Sequence, residues 1–273
     1  MIDVLILNRN LGKICDSLVR DLEGRLGSDD TITVIDAGSV DGQQSSYTSV
    51  KADDSDTRDH GLRFGRGMNL GLKYRAQNGL CNLWVLMLPV DTEVVFWDVE
   101  RLVEQASAVK ELVAIKPVES ESPYTQLLGQ ASLKLAWNLE EGPWLIRSSF
   151  IEEQQKMSAR GDFFSHDNFR GYLTSLDLAF RAYANGYCLA ISNNLVLHEN
   201  ESYLLNRSDL IGTEPLDLNR KLLVSEGLEW LQGSYGIEDP WSFAQVVRLL
   251  YVRFLEENPK YQTMGIEAIH DEN

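Results

Sequence analysis

Two hydrophobic periods alternate along this chain, and they place elements before any composition is counted. Residues 2–7 (Ile-Asp-Val-Leu-Ile-Leu) form a near-continuous apolar run, the pattern of a strand buried on both faces. Ile14, Leu18, Leu22 and Leu26 then recur every four residues and predict one helix face, with Gly27 punctuating its end. Residues 31–35 predict a second, β-branched strand, so the chain opens as a β–α–β unit with the usual right-handed crossover. Residues 43–60 are polar and predict a solvated loop or a short helix. Gly65, Gly67 and Gly71 lie in one turn-and-helix segment, residues 63–74. Residues 83–88 predict a third buried strand, followed by Pro89-Val90-Asp91-Thr92-Glu93.

Further on, residues 97–112 predict an amphipathic helix, 113–117 a short strand and 126–139 a helix. Leu145-Ile146 predicts a strand that leads into a short helix at Phe150-Ile151. Residues 177–185 predict a helix closed by Gly186, and 188–192 and 195–198 two short strands. After about residue 204 the pattern is helical (Leu218, Leu222, Leu223, then Phe243, Val246, Val247, Leu250, Phe254), broken by Pro240 and Pro259. The fold class is therefore α/β: a mostly parallel sheet flanked by helices, with a helical C-terminal appendage. The division expected is residues 1–203 for the α/β domain and 204–273 for a helical extension that covers the site or makes a homo-oligomer contact.

Composition removes several function classes. The 273 residues carry 25 Lys+Arg against 41 Asp+Glu, a net charge of −16. Phosphate contacts need clustered cations, so this charge argues against nucleic acid and against an anionic bilayer surface. No apolar run approaches the roughly 18 residues of a membrane span, and the N-terminus lacks the basic start of a signal peptide. Cys15, Cys81 and Cys188 are odd in number and widely spaced, which predicts reduced thiols in a cytoplasmic protein and no zinc site.

Ligands of such sheets bind beyond the carboxyl ends of the strands. Asn8-Arg9-Asn10, Asp36 to Asp41, and Asp91 to Glu93 each directly follow a predicted strand. Asp91 and Glu93 flank a single residue, a spacing that suits a hard divalent cation; the other reading has Thr92-Glu93 capping a helix while Asp91 is solvated. Asp36 and Asp41 surround Gly38, which suits a nucleoside or an ordinary Asp-Gly turn.

Five segments, in order, carry a family resemblance: Val4-Leu5-Ile6-Leu7-Asn8-Arg9-Asn10; Val34-Ile35-Asp36-Ala37-Gly38-Ser39-Val40-Asp41-Gly42; Phe64-Gly65-Arg66-Gly67-Met68-Asn69-Leu70-Gly71-Leu72; Leu86-Met87-Leu88-Pro89-Val90-Asp91-Thr92-Glu93-Val94; and residues 169–187, which include Thr174-Ser175-Leu176-Asp177. Over residues 2–200 the chain resembles the GT-A fold glycosyltransferases of the large family 2 group, particularly the rhamnosyltransferase-like members. The resemblance implies a Rossmann-like nucleotide-diphospho-sugar transferase fold. It implies inverting transfer of a hexose or deoxyhexose from a UDP- or dTDP-sugar to a glycan or lipid-linked acceptor, with Mn²⁺ or Mg²⁺ as cofactor. It assigns Asn8, Asp36, Asp41, Arg66, Asn69 and Asp91 to the nucleotide, and Asp91, Glu93 and His198 to the metal, with Glu199 and Glu201 as neighbours that could replace His198. Leu145 to Phe150 matches the acceptor floor, and Trp144 before it is a candidate for stacking on a sugar.

Two departures matter. Ala37 stands where the family has a second Asp beside Asp36. Thr174-Ser175 stands where it has Glu-Asp, whose Asp is the usual general base. Asp177 matches the next Asp and is the residue the resemblance leaves for catalysis. Three explanations stay open: Asp177, Asp167 or Asp162 supplies the base; the acceptor needs little base help; or nucleotide binding is kept and transfer lost. The last makes a catalytically silent GT-A domain, binding a nucleotide-sugar or a protein, the second hypothesis. A nucleotidyltransferase is a third, disfavoured for want of that class's Gly-rich, basic N-terminal signature.

Overall fold

The computed structural model describes residues 2–52, 63–119, 122, 124–200 and 215–266. Its strands are β1 (Ile2–Asn8), β2 (Thr31–Asp36), β3 (Thr48–Lys51), β4 (Trp84–Pro89), β5 (Thr92–Trp97), β6 (Leu112–Glu119), β7 (Leu133–Ala136), β8 (Trp144–Arg147) and β9 (Cys188–Glu199). Its helices are α1 (Gly12–Glu23), α2 (Phe64–Gln77), α3 (Val99–Ala108), α4 (Tyr124–Leu128), α5 (Ser148–Met157), α6 (Thr174–Ala184), α7 (Leu216–Tyr235) and α8 (Pro240–Glu257), with a 3₁₀ turn at Pro259–Met264.

All strands join one sheet in the order β3-β2-β1-β4-β8-β6-β9-β5, with β7 paired to β9. β8 is antiparallel to both β4 and β6, β9 is parallel to β6, and β5 and β7 are antiparallel to β9. So β1, β2, β3, β4, β6 and β9 share one direction, while β5, β7 and β8 run opposite. One consequence governs the site. The carboxyl ends of β1, β2, β4, β6 and β9 and the amino end of β8 all lie at a single edge of the sheet.

The apolar run of β1 is buried because it pairs on both sides, with β2 and β4, and is covered on both faces. Helix α2 lies close over these strands: a Cβ at Gly67 would strike Leu7, and one at Gly71 would strike Ile35. At the opposite edge, buried Asp3 pairs with Arg75 of α2. Arg75 also donates to the Asn82 carbonyl at 2.7 Å and to Ser148 Oγ at 2.9 Å, which ties β1, α2 and the start of α5 together.

Several sequence expectations shift. Helix α1 ends at Glu23, so Leu26 packs on the core from beyond the helix. Part of the polar stretch after residue 43 forms β3; its remainder, 53–60, lies outside the described residues. Residues 92–97 are strand, and the following helix starts only after Asp98, whose carboxylate accepts the Arg101 N–H. The helix expected over 126–139 stops at Gly129, which has φ +58°; Leu133 and Leu135 then alternate as β7. The two strands expected at 188–198 are one strand, continuous through a register shift beside Pro117 and Val118.

The helical tail adds to the same core. Phe180 of α6 meets Tyr235 and Phe243 at 5.0 and 5.7 Å between ring centroids, and Tyr183 meets Tyr251 and Phe254 at 5.5 and 5.8 Å. The boundary expected at 203/204 lies outside the described residues.

Candidate active site at the carboxyl edge of the sheet

The ends of β1 and β2 are locked to each other. Asp36 Oδ1 accepts the N–H groups of Gly38 at 3.0 Å and Ser39 at 2.8 Å, which folds the turn after β2 around its own carboxylate. Asn10, in the left-handed region at φ 57°, clamps that turn from the β1 side. Its N–H donates to Ser39 Oγ and its Oδ1 accepts from the Val40 N–H, each at 2.8 Å. Arg9 donates to the Ala37 carbonyl at 3.1 Å. Burial lowers the Arg9 pKa, and the nearby Asp36 charge opposes that shift. Further out, Asp16 of α1 holds Ser45 and Ser46. The turn is thus fixed in shape before anything binds.

Asn8 and Asp36 are register partners in the parallel β1–β2 ladder, and both are buried. Neither Asn8 Oδ1, Asn8 Nδ2 nor Asp36 Oδ2 has a hydrogen-bond partner among the described residues. A buried polar group left unmade costs about 1–3 kcal/mol. Three such atoms side by side at a ligand-binding edge mark a place built for a polar partner. Asp41 sits apart, exposed on the following turn.

Asp91 occupies the two-residue turn between β4 and β5 and is 8% exposed. Its carbonyl accepts the Asn200 N–H at 3.2 Å. One step on, Thr92 lies opposite Glu199 and Glu93 opposite His198. Directly opposed residues share a face, so Glu93 and His198 stand together, in an exposed and a half-buried position. Glu201 lies outside the described residues. Among the described residues no three His, Cys, Asp or Glu side chains converge into a ready metal cage. The donors present are hard oxygens and one imidazole. They fit a divalent ion of the Mg²⁺ or Mn²⁺ type, which takes one or two carboxylates and completes its shell with phosphate oxygens and water.

Arg66 and Asn69 turn to a different task. Arg66 donates twice to the His166 carbonyl, at 3.1 and 2.9 Å, and its guanidinium lies 4.7 Å from the Phe169 ring centre. Asn69 donates to the Phe164 carbonyl at 2.9 Å and accepts the N–H groups of Phe163 and Phe164 at 3.0 Å each. Both residues therefore clasp the loop between α5 and α6.

Asp177 lies in the first turn of α6, in a cleft of about 270 Å³ between α5, α6 and α7. Arg181 Nη2 sits 2.8 Å from its Oδ2, and the Tyr235 hydroxyl donates to its Oδ1. Burial and the Asp177 charge push the Tyr235 pKa well up, so Tyr235 stays a donor. Asp162 is paired with Lys73 at 2.7 Å, and Asp167 is exposed. Trp144 is fully buried among Phe64 and Phe164 and donates its indole N–H to the Glu140 carbonyl at 2.9 Å, so its rings serve the core and do not stack on a sugar.

Two residues at this edge escaped the sequence reading. Lys116, 1% exposed, donates to Glu119 Oε1 at 3.1 Å and to the Glu141 carbonyl at 2.7 Å. Glu141, in the loop before β8, accepts the Ser175 N–H at 2.8 Å. Sequence offered a signal for neither: Lys116 hides inside an apolar strand, and Glu141 meets Ser175 only through the sheet.

No protein-family model matches the chain, and no curated protein does. A solved structure of GalNAc-T7 with UDP, GalNAc and Mn²⁺ superposes with a TM-score of 0.57 at 12% identity, over 95% of this chain and 57% of that one. The likeness establishes the fold, which is GT-A. This chain matches just over half the length of that protein. A mannosyltransferase, PcManGT from Pyrobaculum calidifontis, with GDP-Man and Mn²⁺, overlaps less well (TM-score 0.49, 11% identity, 96% of this chain and 83% of that one). So does S. aureus TarS 1-349 with UDP (0.47, 12%, 85% and 72%).

Proposed function

We propose that this chain is a nucleotide-sugar glycosyltransferase of the family 2 kind. It moves a hexose or deoxyhexose from a UDP- or dTDP-sugar to a glycan or lipid-linked acceptor, with inversion. The observation that carries this reading is the buried pair Asn8 and Asp36, with three unmet polar atoms beside a locked turn at the ligand edge of a GT-A sheet. The GalNAc-T7 structure, which shares the fold, contains UDP and Mn²⁺.

In this reading Asp36 Oδ2 and the Asn8 amide hold the nucleoside, and the preformed turn at 37–40 orders it at little entropic cost. Asp91 with Glu93 and His198 would hold Mn²⁺ or Mg²⁺, which when bound supplies positive charge to the departing diphosphate. Arg66 and Asn69 position the loop over the site, and Asp177 anchors α6 to α7. The acceptor hydroxyl attacks the anomeric carbon in line with the leaving oxygen, and a carboxylate at the edge takes its proton.

Ser175, where a carboxylate would be expected, favours a second reading: a silent domain that keeps nucleotide binding. One experiment separates the two. UDP, dTDP and GDP are titrated calorimetrically with and without Mn²⁺, and the matching sugar nucleotides are then assayed for release of the nucleoside diphosphate. Metal-dependent binding with release supports the transferase. Binding without release leaves the silent domain. No binding by folded protein sinks both.

A further inference from the structure

We propose that Glu141 is the general base of this transfer. The proposal rests on the transferase reading above. Glu141 takes the proton from the acceptor hydroxyl, and that oxygen bonds the anomeric carbon. The anomeric carbon's bond to the diphosphate oxygen breaks, its electron pair leaves with the nucleoside diphosphate, and the proton passes from Glu141 to water.

The topology brings Glu141 to the right edge. It precedes β8, which runs against β4 and β6, so Glu141 lies level with the carboxyl ends that carry Asn8, Asp36 and Asp91. Its carboxylate is one hydrogen bond from Ser175 at the start of α6. A carboxylate thus stands beside the position where Ser175 itself offers none. A Ser hydroxyl, with a pKa far above neutrality, cannot do this work near pH 7.

The surrounding contacts hold it in place. Lys116 grips the Glu141 carbonyl at 2.7 Å, and Trp144 grips the Glu140 carbonyl at 2.9 Å. The next residue, Gly142, has φ +113°. That φ disfavours any residue with a side chain, and a Cβ there would also displace the tips of Lys116 and Glu199, at 2.7 and 2.6 Å. Glu199 in turn lies opposite Thr92, next to Asp91.

Two of the other candidate carboxylates are committed elsewhere, and the third, Asp167, is exposed with no bond to Ser175 among those described. Asp177 is bonded to Arg181 and Tyr235, and Asp162 to Lys73. The Glu141 residue keeps solvent-exposed surface, while its carboxyl group is set deep among protein atoms. Protein crowding around its carboxyl group raises the pKa above the ordinary glutamate value; the Ser175 hydrogen bonds and Lys116 hold that rise back, and Asp177 adds to it. A base shifted toward neutrality transfers protons more effectively at physiological pH.

The test compares wild type with Glu141→Gln, which retains an oxygen for the Ser175 N–H. Nucleotide binding is measured by titration of UDP, dTDP and GDP with Mn²⁺. Turnover is measured as nucleoside diphosphate release from the matching sugar nucleotide, with water or simple sugars as acceptor, between about pH 5 and 9. The expected result is binding within about twofold of wild type, release reduced about 10²- to 10⁴-fold, and loss of the acid limb from the residual rate. Release within about threefold of wild type overturns the assignment, as does parallel loss of nucleotide binding. Wild type that binds no nucleotide refutes the transferase reading itself, before any variant is made, and Glu141 falls with it. Wild type that binds but releases nothing refutes Glu141 as a working base. Where Glu141→Gln does not fold, Glu141→Asp decides: kcat falls about tenfold at constant KM if the carboxylate's reach matters, and an unchanged kcat overturns the proposal.

Discussion

Asn8 and Asp36 stand side by side at the carboxyl ends of β1 and β2, and three of their four side-chain polar atoms meet no partner among the described residues. The fourth, Asp36 Oδ1, ties down the Gly38 and Ser39 N–H groups. The pair shapes the turn with one atom and leaves the others for a ligand.

Replacing Asn8 separates binding from stability. Asn8→Leu removes two buried unmet groups at similar volume, so the ligand-free protein gains about 1 kcal/mol or more. Thermal unfolding without nucleotide checks this. Calorimetry checks the opposite effect, a nucleotide affinity lowered at least about tenfold by loss of one charge-neutral hydrogen-bonding group in a buried site. A variant that is both less stable and equally competent in binding would refute the role given to Asn8.

Asp91→Asn keeps the size of the turn residue and removes its charge. On the proposed reading the Mn²⁺-dependent part of nucleotide affinity falls at least about tenfold, while affinity measured in EDTA is unchanged. Equal loss in both conditions would assign Asp91 to the shape of the turn instead of to the metal.

Asp177→Asn tests an anchor. It leaves Arg181 beside a neutral partner in a largely buried position, with side-chain exposures of 17% for Arg181 and 7% for Asp177. Losing a buried partner of this kind costs about 3 kcal/mol. Chemical denaturation should show that loss, with nucleotide affinity within twofold of wild type. Intact stability with abolished turnover would return Asp177 to the role of base.

Glu141 also makes a pH prediction that needs no substrate. Its carboxyl pKa is raised in the folded state, so folding favours the protonated form. The stability it contributes is complete below the ordinary glutamate value of about 4.3 and is lost as pH rises through the raised value. Glu141→Gln mimics the protonated group. Its Tm should exceed that of wild type at pH 8, and the difference should close by about pH 4. A lower Tm at pH 8 would mean that the carboxylate stabilises the fold.

The β–α–β opening, the buried strands β1, β2 and β4 and the acidic turns behind them are legible in the order of residues alone. Those features are local. Apolar runs, a four-residue period and strand-end polar residues all lie within a few positions of one another, and physics at that range is legible in a single chain. Asn8, Asp36 and Asp91 were accessible for the same reason: each directly follows or ends a strand.

Tertiary structure decided what long range decides. Residues 92–97 and 133–136 become strands because β9 offers each an edge to pair with, and four to six residues of local pattern do not by themselves supply that edge. Arg66 and Asn69 spend their hydrogen bonds on a loop about 100 residues away, and Asp177 spends its charge on Arg181 and on Tyr235 of a distant helix. Glu141 reaches Ser175 across 34 residues because β8 runs backward and delivers its leading loop to the ligand edge. A carboxylate's role depends on which partners consume its oxygens, and those partners are set by the direction in which the strands run.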